Sequence, residues 1–226
     1  MAKIKILSGG AMRSLMTAVA PLFERNGGCA VDMEFRLTSV LVKEIGAGAA
    51  FDIALLPRLE LEVLAGQGRI ERATVADVAR STVGVAVRAG APKPDIGSVA
   101  AVRRALLDAG SVAYSDGPSG AYVAGLLLQL GIAAAVAPKA ILTSRPVAEL
   151  VASGEAELGL QQIVAILPVK GAELVGPLPA ELQNVIVYAA GIAVQAAKRA
   201  AAFDFMAFLA TETVKTQLRA KGLEPG

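Results

Sequence analysis

The alternation of strand-like and helix-like apolar spacing between Lys3 and Gly66 narrows the possible folds more than any other feature of this chain. Lys3 to Leu7 alternates as a strand does and runs into Gly9-Gly10. Ala11 to Arg25 then sets Met12, Leu15, Met16, Val19, Leu22 and Phe23 at helical spacing and stops before Asn26-Gly27-Gly28. Ala30 to Phe35 reads as a second strand, and Thr38 or Ser39 is expected to cap a helix that runs to Gly46. Asp52 to Leu56 reads as a short buried strand stopped at Pro57, with a helix from Leu59 to Ala65 behind it. Strand and helix in strict turn predict a parallel sheet with helices on its faces.

A longer apolar strand, Thr82 to Val87, ends in Arg88-Ala89-Gly90-Ala91-Pro92-Lys93-Pro94, where the chain changes direction. A second series of the same kind follows. Helices are expected over Val99–Asp108, Gly120–Leu130 and Val147–Ala152, with strands over Ser111–Tyr114, near Ala140 and over Leu158–Gln161. Val185 to Val194 is a strand-like run, and amphipathic helices from Ala196 to Ala210 and Glu212 to Ala220 close the chain. Met206, Phe203, Phe205 and Phe208 are expected in the core, and Lys198-Arg199 on a solvated face. Two β/α series joined by two apolar strands predict an α/β fold of two lobes, each a mostly parallel sheet flanked by helices, with a double-strand hinge. Lobe 1 is then 1–82 with 191–226, and lobe 2 is 83–190.

Composition removes several chemistries. With no His and Cys29 as its one cysteine, the chain cannot build a Ser–His–Asp or Cys–His device, and a zinc site would need carboxylates alone. No metal and no organic cofactor is expected, and Cys29 reads as a small core residue. A net charge of +2, with both signs interspersed and few aromatics, gives no footprint for nucleic acid. No apolar run is long enough to span a bilayer, so no direct membrane insertion is expected. The first residues carry neither an apolar signal region nor a cleavage site, so the chain as written reads as cytoplasmic, or as periplasmic had a leader been removed.

Ligands of open α/β sheets bind beyond the carboxyl ends of the strands, so the strand-to-helix turns hold the candidate site. The phrases there are Ser8-Gly9-Gly10-Ala11-Met12, Phe51-Asp52-Ile53-Ala54-Leu55-Leu56-Pro57, Tyr114-Ser115-Asp116-Gly117-Pro118-Ser119-Gly120, Gly159-Leu160-Gln161-Gln162 and Gly176-Pro177-Leu178-Pro179-Ala180-Glu181-Leu182-Gln183. In this order, and with the Val87–Pro94 stretch, they resemble the molybdate-binding family of type II periplasmic binding proteins, and most nearly its branch of aconitate isomerase-like proteins. The resemblance runs from Leu7 to Gly222. It implies a two-lobed type II fold that closes on a small anion, held by hydroxyls and backbone N–H groups at helix starts. Carried over position by position, the first serine falls on Ala11 and the second on Thr38 or Ser39. The third falls at Ser119, Gly120 and Ala121, the fourth near Ser144 and Arg145, and the tyrosine on Gln162. Ala11 and Gln162 lack the hydroxyls of the oxyanion binders, which implies a carboxylate in place of molybdate.

The residues alone allow the same site. N–H groups after Gly9-Gly10 and after Asp116 would face an anion at the positive ends of helices, although both segments also read as ordinary glycine turns or capped helix starts. Arg36 could grip a carboxylate with two parallel hydrogen bonds, and Arg145 sits at another helix start. Gln161 and Gln162 end a buried strand, and Pro57 ends another. Expected partners are a small anionic ligand and a membrane transporter that receives it. An isomerase shifting a proton within an unsaturated carboxylate is the alternative, with Asp116, Tyr114, Tyr122 and Glu34 as candidate proton carriers, Asp116 and Tyr122 foremost. A ligand sensor would need a DNA-binding segment, which the sequence lacks.

Overall fold

A computed structural model describes residues 3–116 and 118–226, the side chains of Pro118 and Ser119 excepted. The chain divides into two compact units. The first is formed by the residues up to Arg80 and from Ile186 onward, the second by Ser81–Val185.

In the first unit β1 (Lys3–Gly9) leads through a 3₁₀ turn (Gly10–Met12) into α1 (Arg13–Arg25). Then come β2 (Ala30–Arg36), α2 (Thr38–Gly46), β3 (Ile53–Pro57), α3 (Arg58–Gly66) and β4 (Ala76–Ser81). The second unit holds β5 (Val83–Arg88), α4 (Val99–Asp108), β6 (Val112–Ser115), α5 (Pro118–Gln129), α6 (Ala133–Val136), β7 (Ala140–Thr143) and α7 (Val147–Ser153). It continues with β8 (Leu158–Gln162), α8 (Ile163–Ile166) and β9 (Ala172–Pro177). The chain then returns to the first unit with β10 (Ile186–Ile192), α9 (Arg199–Leu209), α10 (Glu212–Ala220) and β11 (Glu224–Pro225).

The first sheet has the order β11-β4-β10-β3-β1-β2 and the second β7-β6-β8-β5-β9. Both are mixed, where mostly parallel sheets were expected. β2, β1 and β3 run parallel, but β10 pairs antiparallel with β3. In the second sheet β7, β6 and β8 are parallel, while β5 runs antiparallel to both β8 and β9. The second boundary falls at Val185/Ile186, before the predicted 190/191, because β10 pairs with β3 through Tyr188–Ile192 and so belongs to the first unit.

Both faces of the first sheet are covered. Ile53, Ala54, Leu55 and Leu56 of β3 are all buried, which alternation would forbid if one face met water. Leu7, Ala54 and Leu56 pack with Leu41 and Ile45 of α2 and Leu61 and Leu64 of α3. Phe205 of α9 is fully buried edge-on to Phe23 of α1. Phe203 was expected beside it, but is 45% exposed and lies under Arg199. Cys29 is half-buried rather than in the core. Asp52 is a buried carboxylate that serves the fold. Its two oxygens accept the backbone N–H groups of Lys5 and Lys198, joining β1 to the segment before α9.

Candidate functional site

Parallel register brings the ends of β1, β2 and β3 side by side. Gly9 lies opposite Arg36, and Ser8 opposite both Phe35 and Leu55. Each strand turns directly into a helix, so the starts of the 3₁₀ turn before α1, of α2 and of α3 share one edge of the sheet. First-turn N–H groups have no partner within their own helix and carry the positive end of its dipole.

Local sequence shapes this edge. Gly9 and Gly10 are not among the glycines with positive φ, so their use is not a left-handed turn. A side chain at Gly9 would instead meet Thr38 Oγ1 at 3.3 Å, whereas the space beside Gly10 is open. Leu37, with extended φ −62 and ψ 139, is the N-cap of α2 in place of Thr38 or Ser39. Its carbonyl accepts the N–H groups of Val40 and Leu41, which makes Thr38 and Ser39 the first two helical residues. Among the described residues neither hydroxyl has a hydrogen-bond partner, so both remain available to a ligand. Ser8 is fully buried and its hydroxyl donates to the Gly9 carbonyl at 3.3 Å. Met12 is also fully buried, so only its backbone belongs to the turn, while Ala11 is partly exposed. Pro57 is the N-cap of α3 and has no N–H to offer.

Arg36 is engaged elsewhere. Its guanidinium meets Glu34 and Glu44, each at 2.7 Å, and Lys5 meets Glu34 at 2.8 Å. Two cations and two carboxylates balance there. The hydrogen bond from Lys5, and then that from Arg36, holds the Glu34 carboxyl below its ordinary 4.5.

In the second unit β7, β6 and β8 end together. The Asp116 N–H donates to the Thr143 carbonyl at 3.0 Å, and the Arg145 N–H to Thr143 Oγ1 at 2.9 Å. Gly120 is required by contact: a Cβ there would lie 1.6 Å from the Ser115 carbonyl oxygen, so α5 starts directly on the end of β6. Ala121, Ser144 and Asp116 are exposed, and the Ser119 side chain lies outside the described residues. The Arg145 guanidinium is held by both oxygens of Glu155 at 3.0 and 3.2 Å. Gln161 Oε1 accepts the Ala148 N–H at 3.1 Å, so Gln161 caps α7 from the neighbouring strand. Gln162 Oε1 accepts the hydroxyl of buried Ser81 at 3.2 Å. The Tyr122 hydroxyl donates to the Leu182 carbonyl, and burial raises its pKa. Tyr114 packs in the core of this unit.

The family model for bacterial extracellular solute-binding proteins matches residues 4–224. The chain belongs to that family. An aconitate isomerase of Pseudomonas sp is 29% identical over 98% of this chain and 87% of its own. The substrate-binding domain of a putative molybdenum ABC transporter from Clostridium difficile superposes with a TM-score of 0.86 at 15% identity, over 99% of both chains. The periplasmic molybdate-binding protein of Azotobacter vinelandii gives 0.76 at 20% identity, also over 99% of both. The fold is the two-lobed type II fold of the periplasmic binding proteins. One cation on the strand-end edge of this solute-binding protein escaped sequence reasoning. Arg13 opens α1, and its guanidinium lies 4.4 Å over the ring of Phe35. A basic residue in a first turn that holds no acid was the available signal.

Proposed function

We propose that this solute-binding protein takes a small carboxylate at the helix starts that follow its parallel strands and presents it to a membrane transporter. The observation that carries the reading is the first unit's edge. Three helix starts lie beside one another there, with the Thr38 and Ser39 hydroxyls unengaged among the described residues. Such donors stabilise an anion without a metal. Ala11 offers no hydroxyl and the Gln162 amide oxygen is occupied by Ser81, which argues against a compact tetrahedral oxyanion. A thermal-shift panel of di- and tricarboxylates, sulfate and molybdate tests this. A true ligand at about 100 times its Kd stabilises by about 2.7 kcal/mol. Stabilisation by molybdate, with none by any carboxylate, defeats the proposal.

The aconitate isomerase relative favours a second reading, a 1,3 proton shift on an unsaturated tricarboxylate. The base removes a proton from one carbon and returns it to the carbon at the other end of the three-carbon unit. Of the four candidate carriers, Tyr122 donates to Leu182, Glu34 is ion-paired and Tyr114 is in the core. Asp116 is exposed, with no side-chain partner among the described residues, and is the base of choice. Incubation with trans-aconitate, followed by NMR, should yield the cis isomer. Asp116→Asn should stop this and leave the thermal shift in place. Absence of isomer alongside tight binding leaves the plain binding protein.

A further inference from the structure

We propose that Arg13, braced on Phe35, is the guanidinium that grips a ligand carboxylate beside the Gly9–Met12 turn. The inference deepens the carboxylate-binding reading and rests on it. Of the arginines at this strand-end edge, Arg36 and Arg58 each pair with a carboxylate. Among the described residues Arg13 has none, and the Phe35 ring is the contact it makes. Its position opposes the helix dipole, which favours acids in a first turn, and α1 has no acid there. A cation so placed gains most when an anion joins it.

The geometry fits a planar anion. Helical side chains lean back toward the N-terminus, which carries Arg13 over the turn before it. Phe35 is opposite Ser8 and one residue short of the end of β2, so the ring holds the guanidinium beside the end of β1. A guanidinium over an aromatic face is held there by cation–π attraction, and its planar fork of N–H groups suits two parallel bonds to a carboxylate. Turn N–H groups and this fork together supply donors for both oxygens of one carboxylate. Lysine would bring the charge without the fork.

Calorimetric titration of the full chain with trans-aconitate, tricarballylate and sulfate tests the assignment. The comparison sets wild type against Arg13→Gln, Arg13→Lys, Phe35→Leu and Arg36→Gln. Arg13→Gln should weaken tricarboxylate binding by about ten- to 150-fold. Arg13→Lys should recover part of that loss and narrow the preference for tricarboxylate over sulfate, a change that a merely structural role would not produce. Phe35→Leu should weaken binding while retaining the preference. Should Arg13→Gln not fold, as judged by its ligand-free melting, an unaltered Kd and preference in Arg13→Lys overturns the assignment. If wild type binds tricarboxylate and Arg13→Gln binds equally well, Arg13 is not the grip and the carboxylate reading survives. An effect confined to Arg36→Gln likewise overturns the assignment and spares that reading. If no carboxylate binds wild type, the site reading and the assignment fall together.

Discussion

Gly120 shows how one missing atom can place a helix. The Cβ of an alanine would lie 1.6 Å from the Ser115 carbonyl oxygen, a backbone atom that cannot rotate aside. Gly120→Ala must therefore push α5 off the end of β6. Urea denaturation should show a loss at or above the upper end of about 1–3 kcal/mol, the usual range for overpacking. Gly125, in the same helix, meets nothing within 4 Å, so Gly125→Ala should be neutral or stabilise by up to about 1 kcal/mol. Equal losses in both variants would mean that the contact with Ser115 does not set the cost. Glu34 gives a pH-dependent test at the same scale. Its folded pKa lies below the ordinary 4.5, so the contribution of its pairing is present above that value and is lost as pH falls through the folded one. Glu34→Gln should flatten the acid side of the melting temperature against pH, and an unchanged curve would show the pairing to be inert.

At the level of elements, α7 depends on a neighbour. Its seven residues begin after Pro146, and the Ala148 N–H is satisfied by Gln161 from β8. Gln161→Leu should cost about 1–3 kcal/mol in chemical denaturation, the penalty for an unsatisfied N–H. A variant as stable as wild type would mean that water replaces the amide. The periodic elements were legible in the sequence: α4 and α10 fall where their apolar spacing puts them, and the strand before Pro57 is where buried Ile53–Leu56 had to be. β4 and β9 were not. β4 carries Asp77 and Arg80 and leaves much of its length exposed, while β9 ends in Gly176-Pro177, which reads as a turn. Both are held by pairing with distant strands, information that no local window contains. The site divides in the same way. The turns after β1, β2 and β6 could be read locally, but the state of each arginine could not. Sheet register, with helix packing, sets Arg36 between Glu34 and Glu44 and puts Phe35 beneath Arg13.

For the molecule as a whole, the second unit is an insertion whose two ends are fastened together. The Val83 N–H donates to Gln183 Oε1 at 2.7 Å, and Gln183 Nε2 donates back to the Val83 and Leu178 carbonyls, each at 3.1 Å. Where the chain leaves and re-enters the first unit, β4 and β10 are neighbours in one sheet. Segment 81–185 thus has its own sheet, and apolar clusters around Val112 and around Val147. A contiguous segment with its own core and joined ends should fold alone. Produced by itself, 81–185 should melt in one cooperative transition, with Tyr122 burying its hydroxyl against Leu182 as in the full chain. Gln183→Ala should then lower its stability by about 1–3 kcal/mol, because the backbone groups of Val83 lose their partner. Circular dichroism of both fragments decides the matter. A broad, non-cooperative melt would show that the second unit requires the first. A cooperative melt indifferent to Gln183→Ala would show that the core, and not the clasp, holds the two ends together.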